Sequence, residues 1–134
     1  MGQTLESGRA GNNFGHLMAE FAARHLGTEL LDTGIDSNET ILDGQRIVIK
    51  SAHKSNNRIG IPHNVLDRVV SVLAVLEDKS SPLKGIHKYS IYKVDSMWFK
   101  SEMSPDCKRD NIGHVGTGKI RQHCQKISEL SYDF

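Results

Sequence analysis

The chain is poor in the features that mark several common classes of protein. Its two cysteines, Cys107 and Cys124, are isolated and lack the spacing of metal ligands, which favours a reduced, intracellular setting. Aromatic residues make up 6% of the chain, too few for a platform on which single-stranded nucleic acid stacks. The longest apolar stretch, residues 69–76, is far too short to span a membrane, and no signal peptide is visible. We therefore expect a cytoplasmic protein without membrane contact.

The sequence also lacks the motifs of several enzyme classes. Its seven histidines show neither His-x-x-x-His nor His-x-His spacing, so a zinc site is not expected. It has no Gly-x-Ser-x-Gly elbow for a nucleophilic serine. Gly118 and Lys119 are followed by Ile120, where a phosphate-binding P-loop needs serine or threonine. These patterns argue against zinc enzymes, serine hydrolases and P-loop nucleotidases.

What is present is one domain with an uneven charge distribution. The length of 134 residues predicts a single domain over residues 1–134, with a flexible segment at residues 1–11. The net charge of +1 conceals six acids against one base in residues 19–44, and five bases against one acid in residues 45–68. An acidic block followed by a basic block suits a site that holds a cation and faces a polyanion. The alternative is a solvated surface with uneven charge.

The two charge blocks meet in a predicted β-hairpin. Residues 40–42 and 46–49 are mostly β-branched or aliphatic, and Asp43-Gly44 between them is a dipeptide typical of two-residue type I′ turns. This turn places Glu39 opposite Val48. Residues two apart on a strand share a face, so Glu39, Val48 and Lys50 are expected to point the same way. The carboxylate of Asp36 enters just upstream.

The rest of the chain is predicted to alternate between helices and strands. Periodicity does not decide between helix and strand for residues 65–76, and we favour a helical turn around residues 64–67 followed by a buried strand. The other predicted elements are a helix from Asn12 or Asn13 to about Leu26, a short strand at 28–32, loops at 51–62 and 77–84, a strand at 86–94, a capped helical turn at 95–101, a loop at 104–118 and a basic C-terminal helix at 119–130.

This arrangement resembles the PD-(D/E)xK, or restriction-endonuclease-like, nuclease superfamily. The matching features are a leading helix with Glu20, Gly34-Ile35-Asp36 before a strand, and a Gly-x-x-x-x-x-Lys-Ser strand over residues 44–51. The resemblance covers residues 12–95. It implies an α/β fold with a small mixed β-sheet flanked by helices, and an endonuclease of restriction, homing or repair type. Such an enzyme hydrolyses DNA phosphodiesters with Mg²⁺ or Mn²⁺ held by carboxylates and substrate phosphate.

The resemblance assigns candidate residues, with one departure from the motif. The family carries an acidic or amide residue two positions before the lysine, where this chain has Val48. Glu39, across from Val48, is expected to supply the missing oxygen. The implied metal ligands are Asp36 and Glu39, with Glu20 as an additional or outer ligand and Lys50 as the catalytic lysine. The candidate DNA-binding residues are His53, Lys54, Asn56, Asn57, Arg58, Lys119 and Arg121.

Two other interpretations of the same residues stay open. Val48 can mark a lost ligand, in which case the chain is a catalytically inactive DNA-binding or interaction module on the same fold. The charges of the hairpin can also be incidental to an unrelated α/β protein, as a loop cap and a surface salt bridge. Double-stranded DNA is the expected partner of the first two, because it is held through phosphates and polar loops. A nuclease that cuts both strands is expected to be a homodimer or a higher homo-oligomer.

Overall fold

The computed structural model of the chain describes residues 5–31, 38–79, 86–104 and 111–133, with side chains from residue 15 to residue 131 within these ranges. Four helices and seven strands lie in the described residues. In chain order they are α1 (Leu5–His25), β1 (Glu39–Leu42), β2 (Gln45–Ala52), β3 (Arg58–Pro62), α2 (His63–Leu66), β4 (Ser71–Glu77), β5 (Ile86–Asp95), α3 (Ser96–Glu102), β6 (Ile112–Gly116), α4 (Thr117–His123) and β7 (Gln125–Asp133). Among these helices, none is both long and apolar enough to cross a membrane.

A five-stranded mixed sheet forms the centre of the fold. Its strand order is β1-β2-β4-β5-β7, and β2 and β4 are parallel while the other neighbouring pairs are antiparallel. A parallel pair needs a crossover connection. Here β3 and α2 supply it, and β3 pairs with β6 in a separate two-stranded sheet. The predicted α/β class with a small mixed sheet is therefore confirmed, at the level of a mixed sheet with helices.

The sheet is covered on both faces, which explains the uninterrupted apolar runs of its central strands. Ile47 and Ile49 of β2 pack with Met18 and the alanines of α1 on one face, here called the α1 face. Val48 of β2 points to the opposite face, where Phe99 of α3 belongs to the same apolar cluster. That cluster also contains residues of α2, α4, β3 and β6, and we call this side of the sheet the α2–α4 face.

Predictions that rested on local signals are confirmed. The hairpin of β1 and β2 has its two-residue turn at Asp43 and Gly44, and the helical turn α2 is followed by the buried strand β4. The strand predicted at 86–94 is β5, which pairs antiparallel with β4. The predicted cap of α3 is formed by Asp95, whose carboxylate accepts hydrogen bonds from the amides of Met97 and Trp98 at 2.8 and 3.2 Å.

Several predicted boundaries differ from the structure, and long-range pairing decides most of them. The helix predicted to start at Asn12 or Asn13 begins at Leu5. The predicted loops at 51–62 and 104–118 contain β3 and β6, which pair with each other although they lie far apart in the sequence. Glu77, assigned to a loop, is the last residue of β4. The strand predicted at 28–32 is reduced to a bridge between Leu30 and Thr40 in its described part.

The predicted C-terminal helix is wrong over more than half its length. The helix α4 ends at His123, and Cys124 has extended backbone angles. The following residues form β7, which pairs with β5 and places Leu130 opposite Tyr89 in the core. The expected apolar helical face does not exist, since Ile127 is exposed. Pairing with an open sheet edge provides backbone hydrogen bonds that the local helical pattern could not reveal.

Candidate functional site

The hairpin has the register that its turn predicts. Asp43 and Gly44 both have positive φ, at 52° and 75°, as a type I′ turn requires. The paired residues include Glu39 opposite Val48 and Leu42 opposite Gln45. This prediction of register is confirmed.

Glu39 is fully buried, at 0% exposure, and lies between two arginines. Its Oε1 accepts hydrogen bonds from Nε of Arg46 and Nε of Arg68, both at 2.8 Å, and its Oε2 accepts one from Nη2 of Arg68 at 2.6 Å. Arg68 therefore holds the carboxylate with two parallel bonds, a strong and directional geometry. The hydrogen bond from Arg68 to Glu39 raises the pKa of Arg68, and it outweighs the opposing effect of desolvation. We call Glu39, Arg46 and Arg68 the Glu39 cluster.

The arginines of the Glu39 cluster keep much of their surface in solvent. Their side chains are 37% and 40% exposed for Arg46 and Arg68, whereas the carboxylate between them is buried. A guanidinium has five N–H donors, and the bonds to Glu39 use one donor of Arg46 and two of Arg68. A buried anion that aligns two half-exposed cations leaves a site with a net positive charge at the surface.

The donor set of this site, as described, does not fit a divalent metal ion. Both oxygens of Glu39 are already bonded to guanidinium groups, so a metal ion would have to displace a cation that is held by hydrogen bonds. Val48 is fully buried in the apolar cluster and offers no oxygen. Within the described ranges, no three or more His, Cys, Asp and Glu side chains are grouped in a way that could hold a metal ion. Asp36, the other predicted ligand, lies outside the described residues.

The structure places Lys50 with Glu39 and not with Glu20. Lys50 is two residues from Val48 on β2, and Val48 faces Glu39, so Lys50 and Glu39 share the α2–α4 face. Glu20 lies on α1, which packs against the other face of the sheet. It pairs with His16 of the same helix at 3.2 Å. Glu20 therefore does not lie on the face that carries Glu39 and Lys50. Its predicted role as a metal ligand would require it to lie there.

The predicted DNA-binding residues gather at the far end of β2 and on α4. The loop that follows β2 contacts the start of α4, because the carbonyl of Asn57 accepts a hydrogen bond from the amide of Thr117 at 2.8 Å. Asn56 and Asn57 are exposed. Arg58 is also exposed and is the first residue of β3, not a loop residue. On α4, Lys119 pairs with Glu102 at 3.2 Å.

Glu77 is a second buried carboxylate, and several polar groups contact it. The sequence did not predict a role for this residue. It is 2% exposed. Its Oε1 accepts the backbone N–H of Lys54 at 2.9 Å and lies 3.7 Å from Nδ1 of His53, and its Oε2 lies 2.5 Å from Nδ1 of His87. Burial opposes ionisation of Glu77, but the bonds from Lys54 and His87 outweigh it and lower the pKa of Glu77. Burial, and then the charge of Glu77, raises the pKa of the nearby Tyr89 hydroxyl.

Two further cations reach the same end of the sheet. Nη2 of Arg121 donates a hydrogen bond to the main-chain carbonyl of Glu77 at 2.8 Å, and Nζ of Lys79 donates one to the carbonyl of Lys54. We call Lys54, Glu77, Lys79 and Arg121 the Glu77 cluster. The sequence could not reveal it, since Glu77 is simply the first acidic residue after an apolar run, and its partners come from three separate segments.

Comparison with known proteins adds no relative to this picture. No family model matches the chain, and no curated protein matches it. The resemblance to the restriction-endonuclease-like superfamily accordingly stays a prediction.

Proposed function

We propose that the chain binds duplex DNA through its backbone phosphates, and that Arg46 and Arg68 make the contact at the Glu39 cluster. The observation that carries the proposal is the fully buried Glu39 carboxylate, which holds two guanidiniums side by side at the surface. Arginine is the side chain best suited to bidentate contacts with phosphate oxygens. Of the three interpretations of the sequence, this proposal corresponds to the catalytically inactive DNA-binding module.

The placement of Glu39 determines how the arginines act. A guanidinium on a long side chain loses rotamer freedom when it binds a phosphate, and this opposes binding. Glu39 fixes Nε of both arginines before any ligand arrives. It also neutralises one of the two charges, which keeps the pair from repelling at close distance. Glu39 is in this sense a positioning residue, and its buried carboxylate does not itself contact DNA.

A second candidate function is metal-dependent hydrolysis of the DNA phosphodiester. The observation that favours it is the shared face of Glu39 and Lys50, with Glu39 directly opposite Val48. The resemblance to restriction-endonuclease-like nucleases would assign a divalent ion to Glu39 and Asp36, with Lys50 beside the phosphate. This function requires Arg46 and Arg68 to leave Glu39.

A single gel distinguishes the two functions. The wild-type protein is incubated with plasmid DNA in Mg²⁺, in Mn²⁺ and in EDTA, and the gel is read for both retardation and cutting. The proposed function predicts retardation in all three conditions without cutting. Cutting that is abolished in EDTA and in Lys50→Ala would establish the second candidate instead.

Arg46→Ala tests the contact itself, because Arg68 alone still holds both oxygens of Glu39, and we expect the fold to survive. We expect weaker retardation of DNA by this variant, with a cooperative thermal unfolding transition that is lowered only slightly. Lys126→Ala is the matched control, since it removes one exposed cation from β7 at the opposite edge of the sheet. Equal retardation by Arg46→Ala and Lys126→Ala would contradict the proposal.

A further inference from the structure

We infer that a cavity between α2 and α3 receives a base extruded from the duplex that Arg46 and Arg68 hold, while Met97 enters the base stack beside it. The inference rests on the proposed function and deepens it, because it names what the DNA-binding site takes besides phosphate. Its support is the lining of the cavity, the position of the cavity next to the two arginines, and the exposure of Met97.

The cavity, here called the α2–α3 cavity, combines an apolar wall with a polar rim. Its volume is about 180 Å³, and its lining residues are His63, Leu66, Asp67, Lys100 and Met103. This volume equals that of about six water molecules at about 30 Å³ each, which suits a small ring system and not a drug-sized ligand. Leu66 is buried and Met103 packs against the same apolar cluster, so the inner wall is apolar. A flat heterocycle with apolar faces and a polar edge matches this lining.

The polar groups of the cavity match the edge and the face of a nucleobase. Oδ1 of Asp67 pairs with Nζ of Lys100 at 2.9 Å, and these side chains are 69% and 34% exposed. An ion pair at the surface contributes little to stability, so it opens at small cost. A carboxylate accepts hydrogen bonds from the amino group of a base, and an ammonium donates to its carbonyl or ring nitrogen. The imidazole of His63 has no hydrogen-bond partner among the described residues, and histidine is one of the side chains on which bases stack.

The α2–α3 cavity lies next to the two arginines on the α2–α4 face. Asp67 of the rim and Arg68 are consecutive in the turn after α2, so their Cα atoms are about 3.8 Å apart. A second link runs through the main chain: the amide of Val70 donates to the carbonyl of Arg46 at 2.9 Å, and the carbonyl of Val70 accepts the amide of Ser96 at 3.1 Å. Ser96 is the first residue of α3. A phosphate bound by the arginines therefore has its own nucleotides beside the entrance of the cavity.

Met97 provides the apolar group that replaces an extruded base. It is 70% exposed, the highest value among the exposed large hydrophobic residues in the described part of the chain. It precedes Lys100 by three residues on α3, so the two side chains lie on the same side of the helix. The carboxylate of Asp95 accepts the amide of Met97 at 2.8 Å, which fixes the backbone at this position. Proteins that unstack DNA commonly insert an apolar side chain such as methionine between base steps.

The test compares two duplexes that differ by one mismatched pair, in EDTA. Extruding a base costs pairing and stacking energy, and a mismatched base has already lost part of it. We expect the wild type to bind the mismatched duplex about tenfold more tightly, which corresponds to about 1.4 kcal/mol. We also expect a 2-aminopurine in the mismatched pair to brighten on binding, because its fluorescence is quenched in the base stack and restored outside it.

Met97→Ala tests the insertion, and Ile86→Ala is its matched control. Both variants remove an exposed apolar side chain, and Ile86 lies at the opposite end of β5 from α3. We expect Met97→Ala to lose most of the preference for the mismatched duplex and most of the rise in fluorescence, while it still retards DNA through the arginines. Ile86→Ala is expected to behave like the wild type.

His63→Ala tests the cavity, because it removes the imidazole and leaves the hydrogen bond from the amide of this residue to the carbonyl of Asn111. It is expected to bind the matched duplex like the wild type and to lose the preference for the mismatched one. Thermal unfolding of each variant checks that the fold survives.

The outcomes separate this inference from the proposed function. If the wild type binds both duplexes equally and the 2-aminopurine does not brighten, the inference is overturned while the proposed function stands. The inference is also overturned if the wild type prefers the mismatched duplex and folded Met97→Ala and His63→Ala keep that preference, since the base is then extruded elsewhere. If the wild type does not bind DNA at all, both are overturned.

Discussion

Glu39 joins three separate segments of the chain through one carboxylate. Arg46 comes from the partner strand of the hairpin, and Arg68 comes from the turn that precedes β4. Removing one partner of a buried ion pair commonly costs about 3–5 kcal/mol, because a charge stays buried without compensation. Here the guanidiniums are more than a third exposed, so solvent reduces the cost of losing either one. Their exposed donors are what makes the pair suitable for an external anion.

Glu77 is the residue whose titration is expected to be visible in the stability of the fold. Its pKa is lowered in the folded protein from an ordinary value of 4.5, mainly because the bonds from Lys54 and His87 outweigh desolvation. A lowered folded pKa contributes stability that is fully present above the unfolded value and is lost as pH falls through the folded value. The contribution of Glu77 is therefore intact above pH 4.5 and disappears below it.

We expect Glu77→Gln to be less stable than the wild type at neutral pH, with a difference that shrinks as the pH falls below 4.5. The measurement is the free energy of unfolding from urea titrations across this pH range. Glu102→Gln is the control, because Glu102 is exposed and pairs with Lys119 at the surface. A difference between Glu77→Gln and the wild type that is the same at acidic and neutral pH would contradict this account.

At the scale of elements, the turn between β1 and β2 fixes the register of the hairpin. Gly44 has a φ of 75°, and a Cβ placed there would meet no atom within 4 Å. Substitution by alanine is therefore opposed by backbone strain and not by a clash, at a cost of about 1–2 kcal/mol. We expect Gly44→Ala to lower the free energy of unfolding by this amount in a denaturant titration.

Gly118→Ala is the control for Gly44→Ala. A Cβ at Gly118 also meets nothing within 4 Å, but this glycine lies in α4 and has no positive φ. Alanine is a better helix former than glycine, so this variant is expected to be neutral or slightly stabilising. Equal destabilisation of the two variants would show that backbone strain at the turn is not the cause.

Elements defined by local chemistry were predictable, and elements defined by distant partners were not. The hairpin follows from Asp43-Gly44 and its flanking residues, and α3 follows from the cap at Asp95. By contrast, β3 exists because it pairs with β6, and β7 exists because β5 offers a free edge. Nothing within residues 125–130 distinguishes a strand at a sheet edge from the last turns of an amphipathic helix.

The same limit applies to the candidate site. The register that sets Glu39 opposite Val48 could be derived from the turn, because it depends on consecutive residues. The partnership of Glu39 with Arg68 could not, since Arg68 follows 29 residues later, beyond β2, β3 and α2. That contact changes the interpretation of Glu39 from a candidate metal ligand to the centre of a cationic pair. Glu77 was missed for the same reason, because its partners come from separate segments.

At the scale of the whole molecule, positive side chains are concentrated in two regions, one around each buried carboxylate. The Glu39 cluster lies at the start of β2, and the Glu77 cluster lies just beyond its end. The net charge of +1 does not reveal these regions, because acids elsewhere on the chain balance their positive charge. The two regions do not share a face of the sheet, because Glu39 lies beside Val48 on the α2–α4 face, whereas Glu77 lies beside Tyr89 on the α1 face. A ligand that binds flat on the α2–α4 face therefore meets Arg46 and Arg68 and not the side chain of Glu77.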